Sequence, residues 1–210
     1  MIEDVGMARK QYGIQTVFPK IQESMNWKEN SKYLESIEEW DIAIEFMQKI
    51  VRDYPEDMDV YLSVIYLLMN LIVEEDYDSK KHDYYAALLK EYFDISYDKF
   101  SENSEYLFYV GRIACMSEWY FDIEIDDASS MISKAATVDP SNLVYQWTHF
   151  SKLSRVDPHQ KEVIQYAKLV LQEDSPIKKE LMSKGSRGEY ILGMMTYWSQ
   201  KVLSGRTPYK

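Results

Sequence analysis

Three histidines, one cysteine and 35 carboxylates are the side chains of this 210-residue chain best suited to chemistry. A metal site needs such groups at short, fixed spacings. His82, His149 and His159 lie far apart, no two are four residues apart, and no Glu-x-x-His occurs. His82-Asp83 is a lone His-Asp pair, without the further His and Asp that a two-metal phosphohydrolase requires. Cys115 falls inside an expected helix, with Arg112 one turn away as the one cation able to favour its thiolate. No Gly-x-Ser-x-Gly elbow, Walker-type loop or Gly-x-Gly-x-x-Gly is present. Gly185-Ser186-Arg187-Gly188 ahead of a helix reads either as an anion-holding loop or as a simple turn. The chain is therefore read as a non-enzyme, with no metal and no cofactor expected.

The acids gather in clusters: Glu35-Glu38-Glu39-Asp41, Glu56-Asp57-Asp59, Glu74-Glu75-Asp76-Asp78 and Asp122-Glu124-Asp126-Asp127. The last lacks the central Gly and terminal Glu of a calcium loop. Near helix starts such residues serve as caps and favour the helix dipole. Recurring on neighbouring helical hairpins, they also build a continuous acidic surface. Charge is uneven along the chain. Residues 56–140 carry nineteen acids against six bases, whereas residues 141–210 carry six acids against eleven bases. The net charge of −11 argues against binding through a nucleic-acid backbone. It favours a cationic partner, although acidic excess also serves solubility alone.

The elements that must position these residues are helices. A composition 46% apolar and 14% aromatic, with only seven Gly and six Pro, indicates a packed, helix-rich core. Trp40, Ala43, Ile44, Met47, Ile50, Val51 and Tyr54 share one helix face, and Pro55 ends that helix. Asp57 caps a second helix through the run Val60–Val73, which is too short to cross a bilayer and reads as a buried core helix. Further helices are expected over Lys80–Phe100, from Asn103 or Ser104 to about Tyr120, and from Asp126 or Asp127. Others should begin after Asn142, at Asp157-Pro158, at Ser175-Pro176 and at Glu189, the last ending near Leu203. Tyr120–Ile125 alternates in polarity and is read as an irregular connection rather than a strand, and Ile14–Phe18 alternates loosely. The N-terminus has no apolar run behind a basic end, and the chain has a single Cys, so a cytoplasmic location is expected, with no membrane association.

Two segments share one pattern. Ala43, Met47, Ile50 and Pro55 have the same offsets as Ala128, Ile132, Ala135 and Pro140. Val163, Ala167, Val170 and Pro176 follow it with the Pro one place late. This resembles the second helix of a tetratricopeptide repeat. Val110-Gly111 and Leu192-Gly193 look like that family's Leu-Gly pair, and Trp147 with Phe150 and Ser151 resembles its first helix. Tyr61 stands where the family often has a bulky aromatic. The interval from Pro55 to Pro140 is not a multiple of the family's roughly 34-residue period. The expected fold is all-α: antiparallel hairpins stacked as a tetratricopeptide-like α-solenoid over residues 30–203, or alternatively an irregular helical bundle. Residues 1–29 would pack on the first hairpin, and residues 204–210 would fray.

The resemblance implies a concave groove lined by the first helix of each hairpin. Carried over, it points to Leu62 and Tyr66, then Glu105, Phe108 and Arg112, then Tyr145, Thr148 and Lys152. Glu74, Glu75, Asp76, Asp78, Glu124, Asp126 and Asp127 complete the expected partner-binding set. Eighteen Tyr supply the amphipathic area that protein interfaces favour. The expected function is to bind and mask a basic protein, as an immunity protein or antitoxin masks a cationic toxin such as a nuclease. A chaperone or adaptor is the nearest alternative, and a helical metal-dependent hydrolase a more distant one. The chain itself is expected to be monomeric or weakly self-associating.

Overall fold

A computed structural model of the chain describes residues 26–153 and 160–203. The expectations for residues 1–25, for Asp157-Pro158 and for residues 204–210 lie outside the described residues. Among the described residues the chain is all-α, with ten helices, two short 3-10 turns and no strand. It falls into two compact units, one ending at Asp53 and the other beginning at Tyr54.

The first unit holds α1 (Trp27–Ser36) and α2 (Trp40–Asp53), which pack on each other. Asn26 caps α1: its side chain accepts the N–H groups of Lys28 and Glu29, and Glu29 accepts the Asn26 N–H in return. This reciprocal cap satisfies donors that a helix start otherwise leaves open. Leu34 of α1 and Ala43, Ile44, Met47, Ile50 and Val51 of α2 form the buried stripe.

The second unit contains α3 (Met58–Glu74), α4 (His82–Phe100), α5 (Ser104–Ala114), α6 (Ile125–Val138), α7 (Leu143–Leu153), α8 (Gln160–Val170), α9 (Pro176–Ser183) and α10 (Ser186–Leu203). Consecutive helices pair: α3 with α4, α5 with α6, α7 with α8 and α9 with α10. Asp57, Asn103, Asn142 and Ser175 accept backbone N–H groups at the starts of α3, α5, α7 and α9. These are the positions at which their short polar side chains mark helix starts in the sequence.

The apolar run forms the centre. From Val60 to Leu71, α3 is buried almost all round, with Ser63 and Asn70 the residues least enclosed. A helix apolar on every side must be covered on every side. Here α4, α5 and α10 cover it. Each fully enclosed Leu or Ile contributes roughly 1.5–3 kcal/mol. No helix among the described residues is long and apolar enough to cross a membrane.

Two glycines fix how closely helices meet. A Cβ on Gly111 would lie 2.8 Å from the Ala128 carbonyl oxygen and 2.9 Å from Met131 Cβ, so α5 and α6 touch at backbone distance. A Cβ on Gly188 would lie 1.8 Å from the Leu181 carbonyl oxygen, so the α9–α10 turn closes only around a hydrogen atom. Gly193 has open space where a Cβ would sit. The Leu192-Gly193 pair therefore does not make the close approach that Val110-Gly111 makes.

Three boundaries differ from expectation. The α5 helix ends at Ala114 rather than near Tyr120. The Met116 and Ser117 N–H groups bond three residues back, and a 3-10 turn follows at Glu118–Tyr120. This tightening brings Phe121 into the core, where it meets Phe93 edge-to-face at 5.2 Å. The α6 helix starts at Ile125, with Glu124 as its cap residue two positions before Asp126, and the Asp127 carboxylate accepts the Glu124 N–H. The α10 helix starts at Ser186, directly after Gly185, whose φ of 69° reverses the chain.

The two α10 glycines give opposed expectations. Gly188→Ala should destabilise by about 3 kcal/mol or more, since backbone must move to admit the methyl. Gly193→Ala should stabilise by about 0.5–1 kcal/mol through helix propensity. Chemical denaturation of both variants checks the pair.

Candidate functional site

The fifteen residues singled out for partner binding separate into two environments. Leu62, Tyr66, Phe108, Tyr145 and Thr148 are buried, and Glu105 and Arg112 are half-buried. Lys152 lies on α7, with its side chain outside the described set. Glu74, Glu75, Asp76, Asp78, Glu124, Asp126 and Asp127 are exposed.

The first group converges, and what it meets is the chain's own C-terminal hairpin. Arg187 of α10, 2% exposed, pairs with the Asp59 carboxylate and donates to the Asp59 carbonyl and the Ser63 hydroxyl. Its guanidinium lies 5.1 Å from the Tyr109 ring centre. Lys184 reaches Glu105 and stands 3.9 Å from Asp59. Arg112 contacts the sulfur of Met194, and Tyr190 packs against Tyr66 at 6.0 Å. Phe108 and Tyr145 stack at 4.7 Å beside a cavity of about 230 Å³ that Ile177 and Leu181 of α9 also line. Burial pushes the Tyr109 and Tyr145 phenols above their ordinary pKa, so both remain neutral.

This geometry corrects two readings. Arg187 does not serve an anion loop, because its charge is directed inward onto Asp59. Leu62 and Thr148 are buried rather than open to a peptide, and Phe108, also buried, lines the cavity beside Tyr145.

The second group is brought together by a histidine. The Tyr77 hydroxyl lies 2.6 Å from His82 Nδ1, and the Tyr120 hydroxyl lies 3.2 Å from His82 Nε2. A neutral imidazole accepts one phenol O–H and donates its N–H to the other phenol oxygen. Both ring nitrogens are thus satisfied between two segments far apart in sequence. Burial raises the Tyr77 pKa, and the nearby Tyr120 phenol adds to the shift.

The consequence is electrostatic. Segments 74–84 and 118–127 meet at this bridge, and together they hold ten carboxylates against two lysines. Asp78 and Asp127 have local work, accepting the N–H groups of Lys80 and Glu124. Glu75 accepts from Asn70. Glu74, Asp76, Asp122 and Asp126 are exposed in the same segments. Asp122 holds a φ of 54°, a conformation that Asp tolerates better than most residues and one that turns the chain after Phe121.

An unbroken run of rings crosses the same end: Tyr84, Tyr85, Tyr77, His82, Tyr120 and Trp119, each within 5.6–6.3 Å of the next. The two outer rings are the exposed ones, Tyr84 at 52% and Trp119 at 62%. Exposed aromatic faces among carboxylates attract Lys and Arg twice, by charge and by the ring quadrupole. The acids are legible from residue type alone, whereas the role of these rings is not. Their signal was the density of Tyr around His82 and the Trp119-Tyr120 pair within the acidic stretch.

The remaining chemistry-bearing residues stand apart. Cys115 is half-buried at the C-terminus of α5. His149 meets Phe150 edge-to-face at 5.5 Å, and His159 lies outside the described residues. Among the described residues, no group of three or more His, Cys, Asp or Glu is placed to hold a metal ion.

His82→Phe keeps a ring between the two tyrosines and removes both hydrogen bonds. At roughly 0.5–1.5 kcal/mol per bond, it should destabilise by about 1–3 kcal/mol. Urea denaturation of the variant measures the loss.

Comparison with known proteins finds no matching family model and no curated protein that matches the chain.

Proposed function

We propose that this protein is a non-catalytic binding module that captures and masks a basic protein at the acidic, aromatic end of its second unit. The observation that carries this reading is the Tyr77–His82–Tyr120 bridge. It brings two acidic segments about forty residues apart into contact, and Trp119 and Tyr84 within them are exposed. Acidic fields of this kind steer cationic partners and raise association rates. Exposed Trp and Tyr are the residue types that anchor protein interfaces.

The most specific form of the proposal is an immunity or antitoxin role in the cytoplasm. A toxin that acts on nucleic acid carries a basic active surface, and an acidic aromatic face is complementary to it. Fast neutralisation benefits from the same steering. A second reading, a tetratricopeptide-like chaperone or adaptor, draws on the Gly111–Ala128 approach. That contact is the close helix packing which the resemblance implies for α5 and α6.

A tagged pull-down from the native cell extract, washed at low and then high salt, tests the proposal. One stoichiometric basic protein should be retained at low salt and released at high salt. Trp119→Ala, or charge reversal at Glu74 and Asp126, should weaken its capture about tenfold or more. Capture unaffected by these changes contradicts the proposal. So does recovery of the protein alone with a tightly held metal or small molecule.

A further inference from the structure

We infer that the partner's docking segment is amphipathic: beside its basic residues it carries a large apolar side chain, which enters the cleft between α4 and α6. This inference rests on the reading of the acidic end as a site for a cationic protein.

The cleft has a volume of about 400 Å³ and is walled by Phe93 and Tyr97 of α4, Leu107 of α5, Ile123 and Met131. That volume lies within the roughly 300–1,000 Å³ typical of ligand clefts. Tyr97 is 37% exposed, so the wall is open to solvent rather than sealed. Phe93 of the wall is itself packed edge-to-face on the fully buried Phe121. The cleft continues the acidic end directly, since Ile123 and Asp127 belong to the same segment as Trp119 and Asp122.

Charge decides the kind of occupant. Asp127 lines the cleft, and Asp98, next to Tyr97 in α4, is exposed. Lys134 is the cation lining the cleft, and its ammonium is held by Glu102 at 3.0 Å. Lys90 is likewise held by Asp94. An acidic or neutral apolar segment gains only the cleft, whereas a basic apolar one gains the cleft and the acidic rim together. A partner contacting Trp119 therefore has a neighbouring apolar slot for a Leu, Met or Phe.

Three synthetic helical peptides of equal length make the test: Leu/Lys amphipathic, Ser/Lys of equal charge, and Leu/Glu. Binding to the full chain is read by fluorescence anisotropy at low salt. The Leu/Lys peptide should bind about tenfold or more tighter than Ser/Lys. Ser130→Trp, an exposed position whose new ring would fill the cleft, should abolish that advantage and leave Ser/Lys binding unchanged. Ser130→Arg, which needs no room in the cleft, should reduce Leu/Lys binding by repulsion at the mouth. Equal binding of the two basic peptides overturns the inference, as does an advantage that survives both variants or Leu/Glu binding as tight as Leu/Lys. A concentration-dependent dimer that Ser130→Trp dissolves also overturns it, because the occupant is then a second copy. Separately, Ser/Lys binding insensitive to charge reversal at Glu74 and Asp126 removes the acidic-end reading, whatever the cleft variants do.

Discussion

The ion pair between Arg187 and Asp59 organises the second unit. It joins α10 to the first turn of α3, the most enclosed helix of the unit. An arginine 2% exposed is tolerable only when its charge is met, and here a carboxylate, a carbonyl, a hydroxyl and an aromatic face surround its two terminal nitrogens, while Nε is buried without a hydrogen-bond partner. Loss of one partner of such a pair costs about 3–5 kcal/mol, because the other is left buried and unpaired. Gly188 is the steric counterpart, since only a hydrogen fits against the Leu181 carbonyl where the hairpin turns.

Placing this hairpin against α3 and α5 has a functional consequence. Tyr66, Glu105 and Arg112 contact Tyr190, Lys184 and Met194, and Phe108 and Tyr145 share a cavity with Leu181. Two bases from the cationic last third, Lys184 and Arg187, are thereby neutralised on Glu105 and Asp59. The acids left facing solvent concentrate where α3 gives way to α4 and where α5 gives way to α6. Both connections are irregular, and His82 ties them together through two phenols. The proposed recognition surface lies at the loop end of the hairpins, where side chains vary without disturbing the packed helices.

Much of the fold is legible in the sequence because its signals are local. Asp57, Asn103, Asn142 and Ser175 mark helix starts by chemistry that operates within three residues, and the apolar run around Leu67 could only be buried. The acidic half of the candidate site is legible for the same reason, as charge is read directly from residue type. What escaped depends on distant partners. Nothing local to Arg187 reveals that Asp59 waits 128 positions away, so Gly185–Gly188 reads as a simple turn or an anion loop, with no sign of the buried ion pair. The α5 helix stops at Ala114 because Phe121 is drawn onto Phe93, a long-range contact that local propensity does not contain. His82 reads as an isolated histidine until Tyr77 and Tyr120 stand on either side of it. The reciprocal Asn26–Glu29 cap is a local signal as well, and it opens a helix at Trp27 ahead of the expected hairpins.

Hydrogen exchange on the full chain, with and without the basic protein it is proposed to capture, tests the central claim most directly. The account predicts added protection over residues 74–84 and 118–127, with α9 and α10 unchanged because that hairpin is already packed inside. Protection confined to residues 176–200, or spread over α5 and α7 as the hairpin is displaced, would place the partner in the inner groove and contradict the account.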